Sequence, residues 1–292
     1  MGRHHPECPD RLTAVDDQLI ASGLAQYLPR HDAPLVTREQ LARVHDADYL
    51  DAVEQAAPQR GIVHLDPDTA MNPHTLTAAK RAAGAAVLAT DLVAGGLASA
   101  AFCAVRPPGH HATRTRAMGF CLFNNVAVGA AHALAAHGIE RVAVVDFDVH
   151  HGNGTEDIFS DHPQVLMVGT FQHPFYPYSG VDHVAPNMIN VPLAAGADGR
   201  VFRAAVERHW LPALEDFAPQ MIFFSAGFDA HREDDMASLQ FREEDYAWVT
   251  REVREIALRH AEGRMVSVLE GGYALSALGR SVVAHLRALG DI

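Results

Sequence analysis

Side chains that can bind a metal ion or move protons recur in four short segments of this 292-residue sequence, and each segment directly follows a run of apolar residues. They are imidazoles, carboxylates, one amide and one phenol: His110, His111, Asp146, Asp148, His150, Asn153, Asp229 and Tyr273. In α/β proteins, ligands bind at the sheet edge where the carboxyl ends of parallel strands meet. Four such segments therefore predict a single site at that edge.

Three of these residues have the types and the spacing that suit a metal ion. Asp148 and His150 are two positions apart at the predicted end of an extended strand, so both side chains are expected to point the same way. With Asp229 they form an Asp-His-Asp set, and three protein ligands plus an open position are typical of catalytic zinc. The alternative is a carboxylate that caps the following helix. The other polar segments favour the metal.

The remaining residues suit proton transfer and charge stabilisation. His110 and His111 form either a polar surface turn or a proton-transfer pair, because imidazole titrates near neutral pH. Asp146 and Asn153 can each orient one imidazole, as the third member of a catalytic triad does. Tyr273 is either an amphipathic aromatic at a helix start or a hydroxyl donor to a developing oxyanion.

Composition limits the class of protein. The sequence has 36 acidic and 23 basic residues and a formal net charge of −13, with no cluster of Lys and Arg, which argues against nucleic acid as a partner. No apolar run is long enough to span a membrane, and no signal peptide is evident. Three unevenly spaced cysteines favour a reducing cytoplasm over a disulfide framework. Of these, Cys121 is interpreted as a packing residue rather than a nucleophile.

The elements that must position these side chains alternate from residue 73 onward. Predicted strands cover residues 101–106, 141–147, 165–169, 221–225 and 265–269. Predicted helices cover residues 75–92, 123–136, 199–217, 242–260 and the C-terminal segment. Continuous apolar strands separated by helices indicate a predominantly parallel sheet with helices on both faces. We predict one α/β domain over residues 1–292.

The polar segments also match family motifs. RPPGHHA at 106–112, GFCLFNN at 119–125, DFDVHHGNGT at 146–155, SAGFDA at 225–230 and EGGY at 270–273 resemble the zinc-dependent histone deacetylase superfamily. This superfamily includes acetylpolyamine amidohydrolases. Arg106 before two prolines, and Asn153 where class I members carry Asp, are similar to class II and bacterial members. The resemblance implies the arginase/deacetylase-like version of the predicted fold.

The resemblance assigns roles to the site residues. It implies one zinc ion per chain on Asp148, His150 and Asp229. His111 is then the general base and acid and His110 its electrostatic partner, with Asp146 beside His110, Asn153 beside His111, and Tyr273 polarising the carbonyl. Gly119, Phe120 and Tyr176 are expected to line a narrow substrate channel. A potassium ion is expected near Asp146, Asp148 and His150, although Gly169 stands where a serine is common.

The resemblance also implies a first strand ahead of the loop that contains His5, Pro6 and Glu7. The sequence begins almost at that loop, so either its start is misassigned or this strand is missing from the sheet. Unpaired backbone would then need covering. An N-terminally extended chain is expected to have a higher melting temperature.

The implied function is zinc-dependent hydrolysis of an N-acyl amide on an acyl-lysine-like substrate. Met236 stands where polyamine-specific members carry an acid, which favours an apolar channel. Glu233, Asp234 and Asp235 are nevertheless expected to make the rim acidic, so an acetylated polyamine remains the alternative. A binuclear ureohydrolase, which needs a carboxylate at the position of Gly152, and a non-catalytic binding module are more distant alternatives. A homo-oligomer is left open.

Overall fold

Six parallel strands form the central sheet of the computed structural model, which describes residues 5–182 and 184–292. In chain order the strands are β1 (Val63–His64), β2 (Ala70–Met71), β3 (Ala100–Cys103), β4 (Val142–Asp146), β5 (Val165–Gln172), β6 (Met188–Leu193), β7 (Met221–Ala226) and β8 (Met265–Leu269). The first two form a small antiparallel pair, and the others lie in the order β3-β8-β7-β4-β5-β6. The predicted parallel α/β fold is confirmed.

Helices cover both faces of the sheet. They are α1 (Asp10–Ala21), α2 (Arg38–Leu41), α3 (Ala47–Ala56), α4 (Thr75–Ala94), α5 (Asn125–Ala136), α6 (Asn153–Phe159), α7 (Gly199–Ala205), α8 (Leu211–Phe217), α9 (Glu243–His260) and α10 (Leu275–Gly290). Along β4, Val142 and Val144 join one buried cluster with α4 and α5, whereas Ala143 and Val145 join the opposite cluster with α9 and α10. Because successive strand residues point to opposite faces, this apolar strand is buried on both sides.

The register of the central strands brings their carboxyl ends to one level. Asp146 at the end of β4 pairs with Gly169 on β5 and with Ser225 on β7, and Ala226 on β7 pairs with Leu269 at the end of β8. The polar segments after β4, β7 and β8 therefore start side by side. This is the edge at which the sequence predicted a site.

Some elements differ from the prediction. Strand β6 was not predicted, because its alternating and partly exposed residues include Asn190 and Pro192 and lack the continuous apolar character of β4. The predicted helix 199–217 is two helices, α7 and α8, joined by a π-helical turn at Val206–Trp210. The predicted strand 101–106 ends at Cys103. Neither the π-helical turn nor the early end of β3 changes the spacing of apolar residues in the sequence, so neither could be predicted from that spacing.

The sequence led us to expect either a misassigned start or a sheet that lacks a strand ahead of the loop at His5, Pro6 and Glu7. Within residues 5–182 and 184–292, no strand precedes α1, and β3 lies at one edge of the sheet. Residues 1–4 lie outside the described part, and the expected stabilisation by an N-terminal extension remains a prediction. None of the helices in the described ranges is long and apolar enough to cross a membrane.

Candidate active site

Asp148, His150 and Asp229 converge at the carboxyl edge of the sheet. The His150 Nδ1 atom lies 2.9 Å from Asp148 Oδ1 and 3.3 Å from Asp229 Oδ2. All three residues are buried, and one potential ligand atom of each lies within 4.8 Å of the others. Ligand atoms about 2 Å from a tetrahedral zinc ion are about 3.3 Å apart. The spacing of these three side chains therefore fits a single ion.

The remaining hydrogen bonds of the two carboxylates also fit a cation. Asp148 Oδ2 accepts the Gly271 N–H at 2.9 Å, and Asp229 Oδ1 accepts the Val149 N–H at 2.9 Å. Among the described residues, Asp229 Oδ2 is buried and accepts no hydrogen bond, with His150 Nδ1 as a neighbour at 3.3 Å. Burial and the nearby charge of Asp148 raise the pKa of Asp229 to about 6. A divalent cation would relieve this repulsion and satisfy the unpartnered oxygen.

Asp148 and His150 were expected at the end of an extended strand, but the backbone that carries them is not extended. Strand β4 ends at Asp146, and the chain then bends. Asp146 Oδ1 accepts the Asp148 N–H at 3.1 Å, and Asp148 Oδ1 accepts the His150 N–H at 2.9 Å. Such side-chain to backbone bonds offer the chain an alternative to the strand ladder. They bring Asp148 and His150 to the same side although the strand has ended.

The two adjacent histidines have different partners. His110 Nδ1 lies 3.0 Å from Asp146 Oδ2, whereas His111 Nδ1 lies 2.8 Å from Asn153 Oδ1, and the two ring centroids are 4.1 Å apart. Burial opposes a charge on His110, but Asp148 and Asp146 prevail and hold its pKa well above the usual range. Burial and the neighbouring His110 hold the pKa of His111 well below it. The surroundings thus favour the charged form of the His110 imidazole and the neutral form of the His111 imidazole.

Glu270 supports the histidine segment and was not among the predicted site residues. Its Oε2 atom accepts the N–H groups of Gly109 at 2.6 Å and of His110 at 3.1 Å, and Ser225 Oγ donates to its Oε1 atom at 3.2 Å. Burial raises the pKa of Glu270 to about 7. The sequence did contain a sign of this role, since Glu270 directly follows an apolar strand. A carboxylate buried at such a position needs several hydrogen-bond donors.

Tyr273 packs against Phe120 and Arg11. Its ring meets the Phe120 ring edge to face, with centroids 6.0 Å apart. The Arg11 guanidinium carbon lies 5.0 Å from the Tyr273 ring centroid, and Arg11 Nε donates to Gly272 O at 2.7 Å. Arg11 is fully buried and also donates to Glu270 O. Arg11 was not among the predicted site residues, since an arginine in an N-terminal helix carries no local sign of contacts across the chain.

Aromatic rings lie beside the histidines of the candidate site. The Tyr176 ring centroid lies 5.3 Å from that of His111, and the Phe175 ring stacks on His150 with centroids 5.5 Å apart. Gly119 has φ +57°, and a Cβ atom there would collide with the His111 ring. Phe120 also has a positive φ, 68°, which is strained for a bulky residue. These residues form a close apolar wall beside the histidine pair.

The segment after β7, which was expected to form an acidic channel rim, is less acidic than the sequence suggested. Glu233 is paired with Arg280 at 2.8 Å. Asp234 is buried, with 6% exposure, and points inward rather than toward solvent. Asp235 is exposed and Met236 is half-buried. The expectation of three acidic rim residues is therefore wrong for Asp234, because its carboxylate is used to bind backbone N–H groups.

Cys121 is a packing residue, as predicted. It is fully buried, and burial raises the pKa of its thiol well above the usual range. Burial likewise raises the pKa of Cys103 to about 12. Neither thiol is poised to form a nucleophilic thiolate.

A second cluster with metal-binding residue types lies between α4 and α5. Asp91 Oδ1 lies 2.9 Å from His132 Nε2 and 2.7 Å from His137 Nε2. Arg43 Nη1 lies 2.7 Å from His132 Nδ1, and a guanidinium can only donate, so His132 Nδ1 accepts and its Nε2 carries the proton. That proton points to Asp91, so the cluster is a hydrogen-bonded link between helices.

Fold and site together define an α/β protein with a candidate metal site and a histidine pair at the carboxyl edge of a parallel sheet. The family model for the histone deacetylase domain matches residues 5–289. The histone deacetylase-like amidohydrolase of Pseudomonas aeruginosa is 40% identical over 277 residues, which cover 92% of this chain and 73% of that protein. The chain belongs to the histone deacetylase family, which supports a hydrolase activity of the deacetylase and amidohydrolase type.

Two further comparisons extend this result. The human protein named polyamine deacetylase HDAC10 is 36% identical over 305 residues, which cover 97% of this chain and 45% of that protein. The crystal structure of the HDA15 HD domain matches with a TM-score of 0.92 at 34% identity, covering 100% of this chain and 85% of that chain. The latter match confirms the arrangement of sheet and helices over the whole length.

Proposed function

We propose that this chain forms one catalytic domain that hydrolyses an N-acetyl amide, releasing acetate and a free amine, with one zinc ion held by Asp148, His150 and Asp229. The convergence of these three side chains, with the buried Asp229 Oδ2 atom lacking any other partner, carries the proposal. Bound zinc supplies Lewis acidity, which polarises a carbonyl group and lowers the pKa of water. The expected potassium ion belongs to the same proposal; Gly169 can offer it only main-chain oxygen.

His111 is assigned the proton transfers. The side-chain oxygen of Asn153 accepts the Nδ1 proton of His111, so the lone pair lies on Nε2. His111 Nε2 takes a proton from the attacking water and later returns it to the nitrogen of the leaving amine. His110 stays protonated beside Asp146, and its positive charge keeps His111 neutral at rest.

Tyr273 is assigned the stabilisation of the oxyanion. Its hydroxyl donates a hydrogen bond to the carbonyl oxygen as negative charge develops there. The packing of its ring between Phe120 and Arg11 restricts its orientation. A donor that is held in place before the reaction costs little reorganisation in the transition state.

An acyl-lysine-like stem is the favoured substrate. Met236 is apolar, and the pairing of Glu233 with Arg280 neutralises an acid at the mouth. An acetylated polyamine is the second candidate, because Asp235 is exposed and a relative carries the name polyamine deacetylase. Three thiols that are all free fit a cytoplasmic location for the reaction.

Two other classes are less well supported. A second metal ion would need a carboxylate at position 152, but even a Cβ atom on Gly152 would meet Asp146 Oδ2 and Met167 Cε. A non-catalytic binding module has no need for the complete set of His111, Tyr273 and three ligands. Elemental analysis that finds one zinc ion per chain is expected, and two ions of manganese would favour the ureohydrolase alternative.

The direct test compares kcat/KM for an acetyl-lysine peptide and for N-acetylputrescine. Tyr273→Phe should lower kcat by about 10²–10³, the usual effect of losing an oxyanion donor. Tyr27→Phe is the matched control, because Tyr27 is 72% exposed. Activity near that of the wild type in Tyr273→Phe, with zinc retained, would contradict the mechanism.

A further inference from the structure

We propose that Asp234 is a positioning residue for Tyr273 and couples this tyrosine to the channel mouth. The inference rests on the proposed function, in which Tyr273 acts on the substrate carbonyl. Asp234 lies in the segment after β7, whereas Tyr273 lies in the segment after β8. A single buried carboxylate joins these two segments across the edge of the sheet.

The contacts of Asp234 are all with main-chain N–H groups of these two segments. Its Oδ2 atom accepts the N–H of Tyr273 at 2.6 Å and that of Ala274 at 2.9 Å, and its Oδ1 atom accepts the N–H of Met236 at 3.0 Å. No Lys, Arg or His side chain in the described ranges forms an ion pair with Asp234. Its carboxylate is therefore available to hold the backbone rather than to neutralise a cation.

This carboxylate lies at the start of a helix whose own N-cap residue offers no side-chain acceptor. Helix α10 begins at Leu275, and the residue at its N-cap, Ala274, has no side chain that can accept a hydrogen bond. The first N–H groups of a helix need partners, and negative charge is favourable there. Asp234 places a negative charge at this helix start and accepts the N–H of Ala274, 40 positions away in the sequence. The helix start, and with it the backbone of Tyr273, is fixed by a residue of another loop.

The contacts of Asp234 also connect the segment that contains Tyr273 to the expected channel entrance at Met236. Met236, bound through Oδ1, lies at the expected channel entrance, and the proposed ligand Asp229 precedes Asp234 by five positions in the same segment. A displacement of this segment therefore reaches Tyr273 through Asp234. Small errors in the position of a reacting group are costly, because about 1 Å can change a rate by about a hundredfold.

The test is a double-mutant cycle on the zinc-loaded protein with the preferred acetylated substrate. Asp234→Ala is expected to lower kcat by up to about a hundredfold with little change in KM. In a Tyr273→Phe background, the same substitution should lower kcat by less than about twofold, because Asp234 then has no hydroxyl left to position. Equal fold losses in both backgrounds would overturn the proposal.

A second readout does not depend on activity. Hydrogen exchange at the amides of Tyr273 and Ala274 should accelerate in Asp234→Ala, because both N–H groups lose their acceptor. Asp245→Ala is the matched control: Asp245 is also buried and accepts the Arg242 N–H at the start of α9, and it accepts no N–H of residues 273–274. It should leave exchange at 273–274 and the kcat effect of Tyr273→Phe unchanged.

The outcomes separate the two proposals. Absence of wild-type activity on both acetylated substrates would reject the proposed function, whereas an active wild type with unaltered exchange at 273–274 in Asp234→Ala would reject the role of Asp234. Should Asp234→Ala not fold, Asp234→Asn replaces it in the same cycle. Asparagine keeps one acceptor oxygen, so we expect a smaller kcat loss that again disappears in the Tyr273→Phe background.

Discussion

His111 Nδ1 lies 2.8 Å from the side-chain oxygen of Asn153, a neutral partner, although the adjacent His110 is bound to the carboxylate of Asp146. The amide oxygen fixes the ring of His111 without adding a charge that would favour its protonation. Burial and the nearby His110 also hold the pKa of His111 well below the usual range. The pair of partners, one neutral and one anionic, assigns the two imidazoles to different protonation states.

This relationship predicts the acid limb of the pH profile. Only neutral His111 accepts a proton, and a lowered pKa keeps it neutral to lower pH, so kcat/KM should stay high down to below about pH 6.5, the ordinary value for histidine. Asn153→Asp adds a negative charge that stabilises the imidazolium, so the acid limb should move to higher pH. Gln164→Glu, which adds the same charge at an exposed position, should not move it. An unshifted limb in Asn153→Asp would count against His111 as the base.

Metal removal should destabilise the protein as well as inactivate it. A ligand that binds only the folded state stabilises by about 4 kcal/mol when its free concentration is about a thousandfold above its Kd. A chelator should therefore lower the melting temperature, and added zinc should restore it. Asp229→Ala should abolish this response, whereas Asp235→Ala, an exposed acid of the same segment, should retain it. An equal response to zinc in Asp229→Ala would place the ion elsewhere.

Gly119→Ala should lower kcat/KM through a steric effect on His111. A Cβ atom at position 119 would overlap the His111 ring, and the backbone has φ +57°. Gly138→Ala is a matched control, with φ +66° and no atom within 4 Å of its new Cβ. Both variants should lose about 1–2 kcal/mol of stability from the left-handed backbone, but only Gly119→Ala should lose kcat/KM, by about tenfold or more. Parallel activity losses in both would contradict this explanation.

His285 should make the protein less stable in acid. It is fully buried between the hydroxyl groups of Thr250 and Ser267, and burial lowers its pKa to about 3. The unfolded chain binds a proton near the ordinary pKa and the folded chain does not, so this contribution is present above about pH 6.5 and is lost as the pH falls toward 3. Between about pH 7 and pH 5 the loss should be about 2 kcal/mol.

The measurement is chemical denaturation at several pH values with a chelator present, so that zinc release does not contribute. His285→Gln cannot titrate and should show a shallower dependence of unfolding free energy on pH, even if its stability at neutral pH is lower. His64→Gln, at an exposed position, should keep the wild-type slope. Identical slopes in all three proteins would show that His285 does not control acid stability.

The sequence by itself determined the sheet and the edge that carries the site. The apolar runs at residues 141–147, 221–225 and 265–269 are local patterns typical of strands that are buried on both faces of a parallel sheet. The polar residues directly after them had to meet at one edge, because the carboxyl ends of parallel strands lie together. The family motifs narrowed the expected chemistry further, and the family comparison confirmed that membership.

Only the tertiary structure decided which polar residues face the site and which hold it together. Asp234 looked like a rim acid but is turned inward to Tyr273, and Glu270 binds the backbone of Gly109 and His110 from more than 150 positions away. Arg11 reaches Gly272 across 261 positions. The partner of a buried polar group depends on which donors the packed loops bring within about 3 Å. Sequence periodicity describes single elements, so it contains no information on such contacts between distant loops.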